Sequence, residues 1–196
     1  MLWGLRETTG TLHNISGDLQ LWQERIGKLC AGNSLLVLAT SYALTGPLLR
    51  PCDMEGGGLH IYGASSTGKT TLALVAGSVC GGGGNRGYLR QWRSTHNALE
   101  HTAAMHNDNL LVLDEVGQAT AEVVSQVAYM LPNGQGRSRM RADASLRNAL
   151  TWRLNFLSTG ELTINDKIEE SGKQRAMAGQ AVRIIDLPIE GGTGEN

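Results

Sequence analysis

The stretch GASSTGKT at residues 63–70 restricts what this chain can fold into more than any other feature. It fits the pattern G-x-x-x-x-G-K-[ST], with an apolar run, Leu59-His60-Ile61-Tyr62, before it and a helix-compatible run after it. The residue types follow from the chemistry. Gly63 and Gly68 let the backbone curl so that successive N–H groups across Ala64, Ser65, Ser66 and Thr67 converge on phosphate oxygens. The helix starting near Lys69 adds its positive end. Lys69 supplies a point charge for the outer phosphates, Thr70 a hydroxyl for Mg²⁺, and Thr71 a donor for the α-phosphate. A strand, loop and helix in this order predict a P-loop NTPase that takes ATP and Mg²⁺.

A second signal lies downstream. Leu110-Leu111-Val112-Leu113 reads as a buried central strand, and it ends in Asp114-Glu115. Carboxylates at a buried strand end are costly unless they hold a cation or a water. Asp114 is therefore expected at Mg²⁺ and Glu115 as the base for an attacking water. Asp114 to Gly117 also spells the DxxG of GTPase switches. The adjacent Asp-Glu pair favours an ATPase, and Asn165-Asp166-Lys167 does not make the guanine-reading N-K-x-D.

Around these signals, the pattern predicts helices over 16–31 (capped by Ser16, ended by Gly32) and 33–45 (capped by Asn33, stopped by Gly46-Pro47). Strands are expected at 59–62, 88–92, 109–113, 151–157 and 181–187. Helices are expected at 70–78, 95–106, 119–131 and 161–171, with a hairpin over 137–150. Strands alternating with helices imply an α/β fold with a parallel sheet covered on both faces. The expected division is an N-terminal helical segment (1–55), a core (56–190) and a flexible tail (191–196).

Composition narrows the function classes. With 17 Lys+Arg against 18 Asp+Glu the net charge is −1, which argues against a globally basic nucleic-acid coat. Cys30, Cys52 and Cys80 lie far apart without a CxxC pair, which argues against a disulfide scaffold or a cysteine zinc site. His96, His101 and His106 are spaced by five on one helix and do not share a face. No signal peptide or membrane span is expected, and a cytoplasmic location fits.

Arg137, Arg139 and Arg141 alternate with Ser138 and Met140, so an extended arm would put three guanidinium groups on one face. Asp143-Ala144-Ser145 offers a turn, and Arg147 lies on the return arm. Trp92, Arg93 and Thr95 precede a helix at a strand end, where contact with nucleotide or DNA is one role and a packed indole with a helix cap the expected one.

Beyond these local patterns, the chain resembles the family known as domain of unknown function 927, found with phage and plasmid primase–helicase proteins that are similar to superfamily 3 helicases of the AAA+ class. The matching stretches are GDLQLW at 17–22, LCAGNSLL at 29–36, GASSTGKTT at 63–71, QWRSTHNALE at 91–100, LLVLDEVGQA at 110–119, YMLPNGQGRSRMRAD at 129–143, WRLNFLSTGE at 152–161 and AGQAVRIIDLP at 178–188. The resemblance implies a sheet order of 5-1-4-3-2, a lid over the nucleotide base formed by the N-terminal helices, and a homo-oligomeric ring, hexameric in the full-length protein. It implies that the arginine hairpin over Arg137, Arg139 and Arg141 points into a channel and grips single-stranded DNA. It also implies a strand end that senses the γ-phosphate, where this chain offers Ser158 and Thr159, and an arginine finger acting on a neighbouring subunit. Arg175 fits the finger by position, with Lys173 behind it, while Arg183 lies in the last strand. The expected function is ATP hydrolysis driving a DNA helicase or primase–helicase of a mobile element. The alternatives are an ATP-dependent switch or loader that binds a partner protein, and, more distantly, a P-loop kinase.

Overall fold

The computed structural model describes residues 17–82, 87–140, 146–170, 172 and 183–189. The chain begins with α1 (Leu19–Trp22), which passes through a π-helical turn (Gln23–Gly27) into α2 (Lys28–Cys30), and then α3 (Ser34–Thr45). The core follows as β1 (Gly58–Tyr62), α4 (Lys69–Val79), β2 (Arg90–Gln91), α5 (His96–Met105), β3 (Leu110–Asp114) and α6 (Ala121–Asn133). A two-stranded ribbon, β4 (Arg139–Met140) and β5 (Leu146–Arg147), leads to β6 (Asn155–Gly160), α7 (Ile164–Glu169) and β7 (Ile184–Pro188).

Five strands form one sheet in the order β2-β3-β6-β1-β7, and every pairing in it is parallel. Counting only these strands, the order is 5-1-4-3-2, as expected. The fold is that of a P-loop NTPase. Alternation along each strand divides the core into two layers. Leu111, Leu113 and Phe156 pack with Leu99, Val127, Leu131 and Ile168 of α5, α6 and α7. Leu59, Ile61, Leu110, Val112 and Leu157 face the other way, onto Leu72, Ala73 and Ala76 of α4 and Ala39 and Ala43 of α3. Each fully buried leucine, isoleucine or phenylalanine contributes about 1.5–3 kcal/mol by leaving water.

Side-chain caps start the helices, and those of α3 and α5 lie where the sequence places them. Asn33 Oδ1 accepts from the Leu36 N–H at 3.0 Å, and Thr95, Thr120 and Thr163 cap α5, α6 and α7. Thr163 and Asp166 complete a reciprocal capping box. The uncharged helix α3 is tied down at its C-terminal end. Tyr42 donates to the Gly57 carbonyl at 2.7 Å, and Asn155 Nδ2 donates to Thr45 Oγ1 at 2.8 Å. Trp22 Nε1 donates to Ser78 Oγ at 2.8 Å, which pins the π turn against the end of α4. Among the described residues no helix is long and apolar enough to cross a membrane.

Several boundaries differ from the sequence pattern. The first helix is capped by Asp18, whose carboxylate accepts from the Leu21 N–H at 3.1 Å; Ser16 lies outside the described residues. The strand expected at 151–157 is Asn155–Gly160. Its first four residues belong to other structure: Thr151 bridges Gln135, and the Trp152 N–H donates to the Gly134 carbonyl. Two extended stretches in tandem therefore read as one strand. The strand expected at 88–92 shrinks to Arg90–Gln91 at the sheet edge. The helix expected from residue 161 begins at Ile164, after its Thr163 cap. The tail at 191–196 lies outside the described residues.

Candidate nucleotide and DNA sites

Between β1 and α4 the chain closes a tight loop. Gly68 caps α4 at φ +92°, in the left-handed region that glycine enters without a steric cost. A Cβ on Gly63 would sit 2.6 Å from the Ile189 carbonyl oxygen, so no side chain fits there. Ala64, Ser65, Ser66, Gly68, Thr70 and Thr71 are exposed, while Thr67 is half-buried. The Lys69 ammonium is buried and curls back over the loop. It donates to the Gly63 carbonyl at 2.8 Å and the Ala64 carbonyl at 2.6 Å. These carbonyls occupy the donors that phosphate oxygens would take, so the loop holds its own cation in place until an anion displaces the carbonyls.

β3 delivers Asp114 to the mouth of this loop. Thr159 donates to Asp114 Oδ1 at 2.7 Å, and Thr70 donates to the same oxygen at 3.4 Å. Two hydroxyls and a carboxylate thus meet where hard oxygen ligands suit Mg²⁺, which binds through one or two carboxylates, phosphates and water. Glu115 follows with φ +60°, outside the region a glutamate normally occupies. Its N–H donates to Thr159 Oγ1 at 3.1 Å, and its carboxylate accepts from the Gly117 N–H at 3.1 Å.

Ser158 and Thr159 part company because neighbours on a strand face opposite ways. Thr159 lies on the face of α4, with Asp114. Ser158 lies on the other face, fully buried, where it accepts from Trp92 Nε1 at 2.9 Å and meets His60 Nδ1 at 2.8 Å. The structure therefore brings Thr159, and not Ser158, to the acidic pair. The sequence pattern does not single out His60. It sits in an apolar strand, and its partner is far away in the chain, so only the β1–β6 register reveals it. Burial lowers the His60 pKa, opposed by the Leu162 carbonyl and the Asp186 charge.

At the opposite ends of the strands, the ribbon rises from the end of α6. Gln135 bridges Thr151, Arg139 is registered with Arg147, and Met140 with Leu146, in one unbroken antiparallel register. The Gly136 N–H donates to the Leu150 carbonyl at 2.8 Å in the same register. Positions 137, 139 and 147 share one face of this ribbon. Arg137 is exposed, and Arg141 lies outside the described residues, as do the finger candidates Lys173 and Arg175. Arg183 stands just before β7, paired with Asn133 and, at 4.0 Å, with Glu55. Trp92 is packed and Thr95 caps α5, as expected, while Arg93 is exposed.

The family described as domain of unknown function (DUF927) matches residues 5–150, most of the chain. The chain belongs to this family. Sequence comparison with curated proteins gives no match. Among solved structures, the chain is similar to the active helicase Cch of SCCmec type IV, with a TM-score of 0.70 and 26% identity over 93% of this chain. The chain spans about a third of that helicase, 33% of its length. The JCV helicase is also similar, with a TM-score of 0.46 and 15% identity over 82% of this chain and 43% of that one.

Proposed function

We propose that this DUF927 chain is the ATP-hydrolysing module of a DNA helicase or primase–helicase of a mobile element. The observation that carries this reading is Asp114 Oδ1, which receives both Thr159 and Thr70 at the mouth of the phosphate loop. The likeness to Cch, itself a helicase, supports the motor rather than the kinase or the partner-binding switch.

In this reading the loop N–H groups from Gly63 to Thr71 cradle the phosphates, and Lys69 turns from the loop carbonyls to the β- and γ-phosphates. Thr70 and Asp114 hold Mg²⁺, which neutralises the charge that builds on the phosphates during hydrolysis. Glu115 leaves the Gly117 N–H and takes a proton from the attacking water. Thr159 keeps one lone pair beyond its bonds to Asp114 and Glu115, and with it orients that water. Arg175 of a neighbouring subunit in a homo-oligomeric ring supplies the finger; Lys173 and Arg183 are the other cations near that position. α3 runs toward the lower end of the sheet, where Tyr42 and Thr45 meet Gly57 and Asn155, so its first turn lies about 18 Å nearer the phosphate end at 1.5 Å per residue. The turn between α2 and α3 then lies where a lid over the nucleotide base is needed. The ribbon carries Arg137, Arg139, Arg141 and Arg147 into the channel against single-stranded DNA.

The test is ATP hydrolysis with Mg²⁺, with and without single-stranded DNA. The expected result is hydrolysis that DNA stimulates and that Lys69→Ala abolishes. Hydrolysis indifferent to DNA would replace the motor with the partner-binding switch. Phosphate appearing on a second small molecule, with little release to water, would favour the kinase.

A further inference from the structure

Behind the phosphate site, on the face of the sheet away from α4, three fully buried polar side chains meet: Trp92, Ser158 and His60. Trp92 Nε1 lies 2.9 Å from Ser158 Oγ, Ser158 Oγ lies 2.8 Å from His60 Nδ1, and His60 Nε2 lies 2.8 Å from the Leu162 carbonyl oxygen. The direction of every bond follows by elimination. A carbonyl only accepts, so His60 Nε2 carries a proton. With the ring neutral, Nδ1 then accepts, and the Ser158 hydroxyl gives it its proton. An indole N–H only donates, so Trp92 supplies the Ser158 oxygen. The neutral chain has one polarity: Trp92 to Ser158 to His60 to Leu162.

Its members sit on the segments that carry the phosphate site. Trp92 also donates its backbone N–H to the Asp114 carbonyl at 3.1 Å. Ser158 adjoins Thr159. His60 stands three residues before Gly63, and a Cβ on Gly160 would come within 3.2 Å of the His60 ring. Of the two residues flanking Thr159, Ser158 is thus bonded to His60 and Gly160 passes close beside its ring. Beyond Leu162, the Ile164 N–H donates to Asp186 of β7 at 3.3 Å, so the chain also reaches the sheet edge. Three leucines would fill this space without the cost of burying polar groups. A fully satisfied polar chain specifies one arrangement where an apolar core tolerates several.

We propose that Trp92, Ser158 and His60 are positioning residues for ATP hydrolysis, setting Thr159 against Asp114 and Glu115 for the reacting step without touching nucleotide. This rests on the reading of Thr159 as the hydroxyl at the attacking water. A displacement of about 1 Å in such a group can cost roughly 100-fold in rate. The relay therefore affects kcat and leaves nucleotide affinity alone, because the phosphate loop lies on the other face.

The test uses the full chain and the variants Ser158→Ala, Ser158→Thr, Trp92→Phe and Thr159→Ala. Rates come from phosphate release, and affinity from a fluorescent ATP analogue with Mg²⁺. Ser158→Ala is expected to lower kcat about 10- to 100-fold with the dissociation constant within about twofold. Ser158→Thr, which keeps the hydroxyl, is expected to recover most of that loss. Trp92→Phe, which keeps an aromatic ring, is expected to lower kcat less than Ser158→Ala does. A wild-type rate in Ser158→Ala, or a loss of rate matched by a loss of affinity, overturns the proposal. A wild-type rate in Thr159→Ala instead overturns the reading of the site on which it rests. Nitrogen-15 NMR of the wild type gives a readout independent of turnover and of variant folding. His60 is expected to show a protonated Nε2 and an unprotonated Nδ1 at neutral pH, and the Trp92 indole resonance to shift on binding a non-hydrolysable ATP analogue. The opposite tautomer, or an indole signal that stays still at saturation, overturns the relay.

Discussion

Glu115 is held with φ +60° and ψ 80°, a conformation that costs a non-glycine residue about 1–3 kcal/mol. The surrounding bonds show what maintains it: the N–H is fixed by Thr159 and the carboxylate by the Gly117 N–H. That conformation turns the chain out of β3 and into the tight turn Val116–Gln118. Two substitutions separate the strain from the chemistry. Glu115→Gln keeps the shape and removes the base, so ATP binding should persist while hydrolysis falls about 10²- to 10⁴-fold. Glu115→Gly relieves the backbone cost, so its melting temperature should equal or exceed that of wild type while hydrolysis disappears. Calorimetry beside phosphate release reads both. A glycine variant that melts well below wild type would show that the Gly117 hydrogen bond, and not strain, dominates at this position. The residues of the phosphate loop and the acidic pair are legible from sequence because local spacing alone specifies them. Thr159 cannot be told from Ser158 in that way, because the choice depends on which face of β6 each occupies.

At the scale of elements, the ribbon and the β1–β6 pair show what sequence patterning can and cannot resolve. Alternating arginines predict an extended arm, and the register gives a two-stranded antiparallel ribbon with position 139 directly opposite position 147, both arginines. Like charges at directly opposite positions destabilise a strand pair, unless an anion lies between them. This pairing motivates the expectation that the ribbon is complete only on a polyanion. Arg139→Ala should weaken single-stranded DNA binding and reduce the log–log salt slope by about 0.7 for each phosphate the variant leaves unneutralised. The same variant without DNA should melt no lower than wild type, since it removes a repulsion. A salt slope that does not change would place the arginines off the DNA path. By contrast, the start of the strand at 155–160 is hidden in the sequence because the ribbon arm and the strand are both extended and adjoin. Only the turn of Trp152, whose indole donates to the Leu131 carbonyl at 3.0 Å, separates them.

The same pair of strands makes a pH prediction. Burial lowers the His60 pKa, while Asp186 has a raised one, also from burial. Asp186, the Ser158 hydroxyl, the stacked Tyr62 ring and the Leu162 carbonyl are the groups around the imidazole. Below a pH of about 6.5 the unfolded chain takes up a histidine proton that the folded chain refuses, so His60 removes stability as pH falls from there. Asp186 acts in the opposite sense: the folded state retains a proton that the unfolded state releases above about pH 3.9, so its contribution falls as pH rises from there. Between pH 7.5 and 6 the unfolded histidine is the group that changes charge. The melting temperature should drop across that interval, and His60→Gln should show a smaller drop. An equal drop in both proteins would assign the effect to other histidines.

For the whole molecule, the two layers of the core divide the work. One face of the sheet carries α3 and α4 with the phosphate loop, Asp114 and Thr159. The other carries α5, α6 and α7 with the buried relay, and the ribbon emerges at the far end of the strands. In the proposed motor, a nucleotide bound at one end is thus separated from DNA at the other by the length of the sheet. The packing of α3 is legible from its lack of charge, since a helix without charged residues needs cover on more than one side. Its exposed Val37, Leu38 and Leu44 show that α4 covers only one of them. The chain spans 33% of the Cch helicase to which it is similar. If the finger comes from a neighbour, each site is complete only in an assembly, and a missing finger costs roughly 10³- to 10⁵-fold in rate. Hydrolysis per subunit should therefore rise with protein concentration and plateau as assemblies form, and Arg175→Ala should remain low at every concentration. Mixing Arg175→Ala with Glu115→Gln then decides where the finger acts. A finger reaching a neighbour joins the intact finger of one subunit to the intact base of the next, and activity returns in the mixture. A finger acting within its own subunit leaves every site broken, and the mixture stays silent.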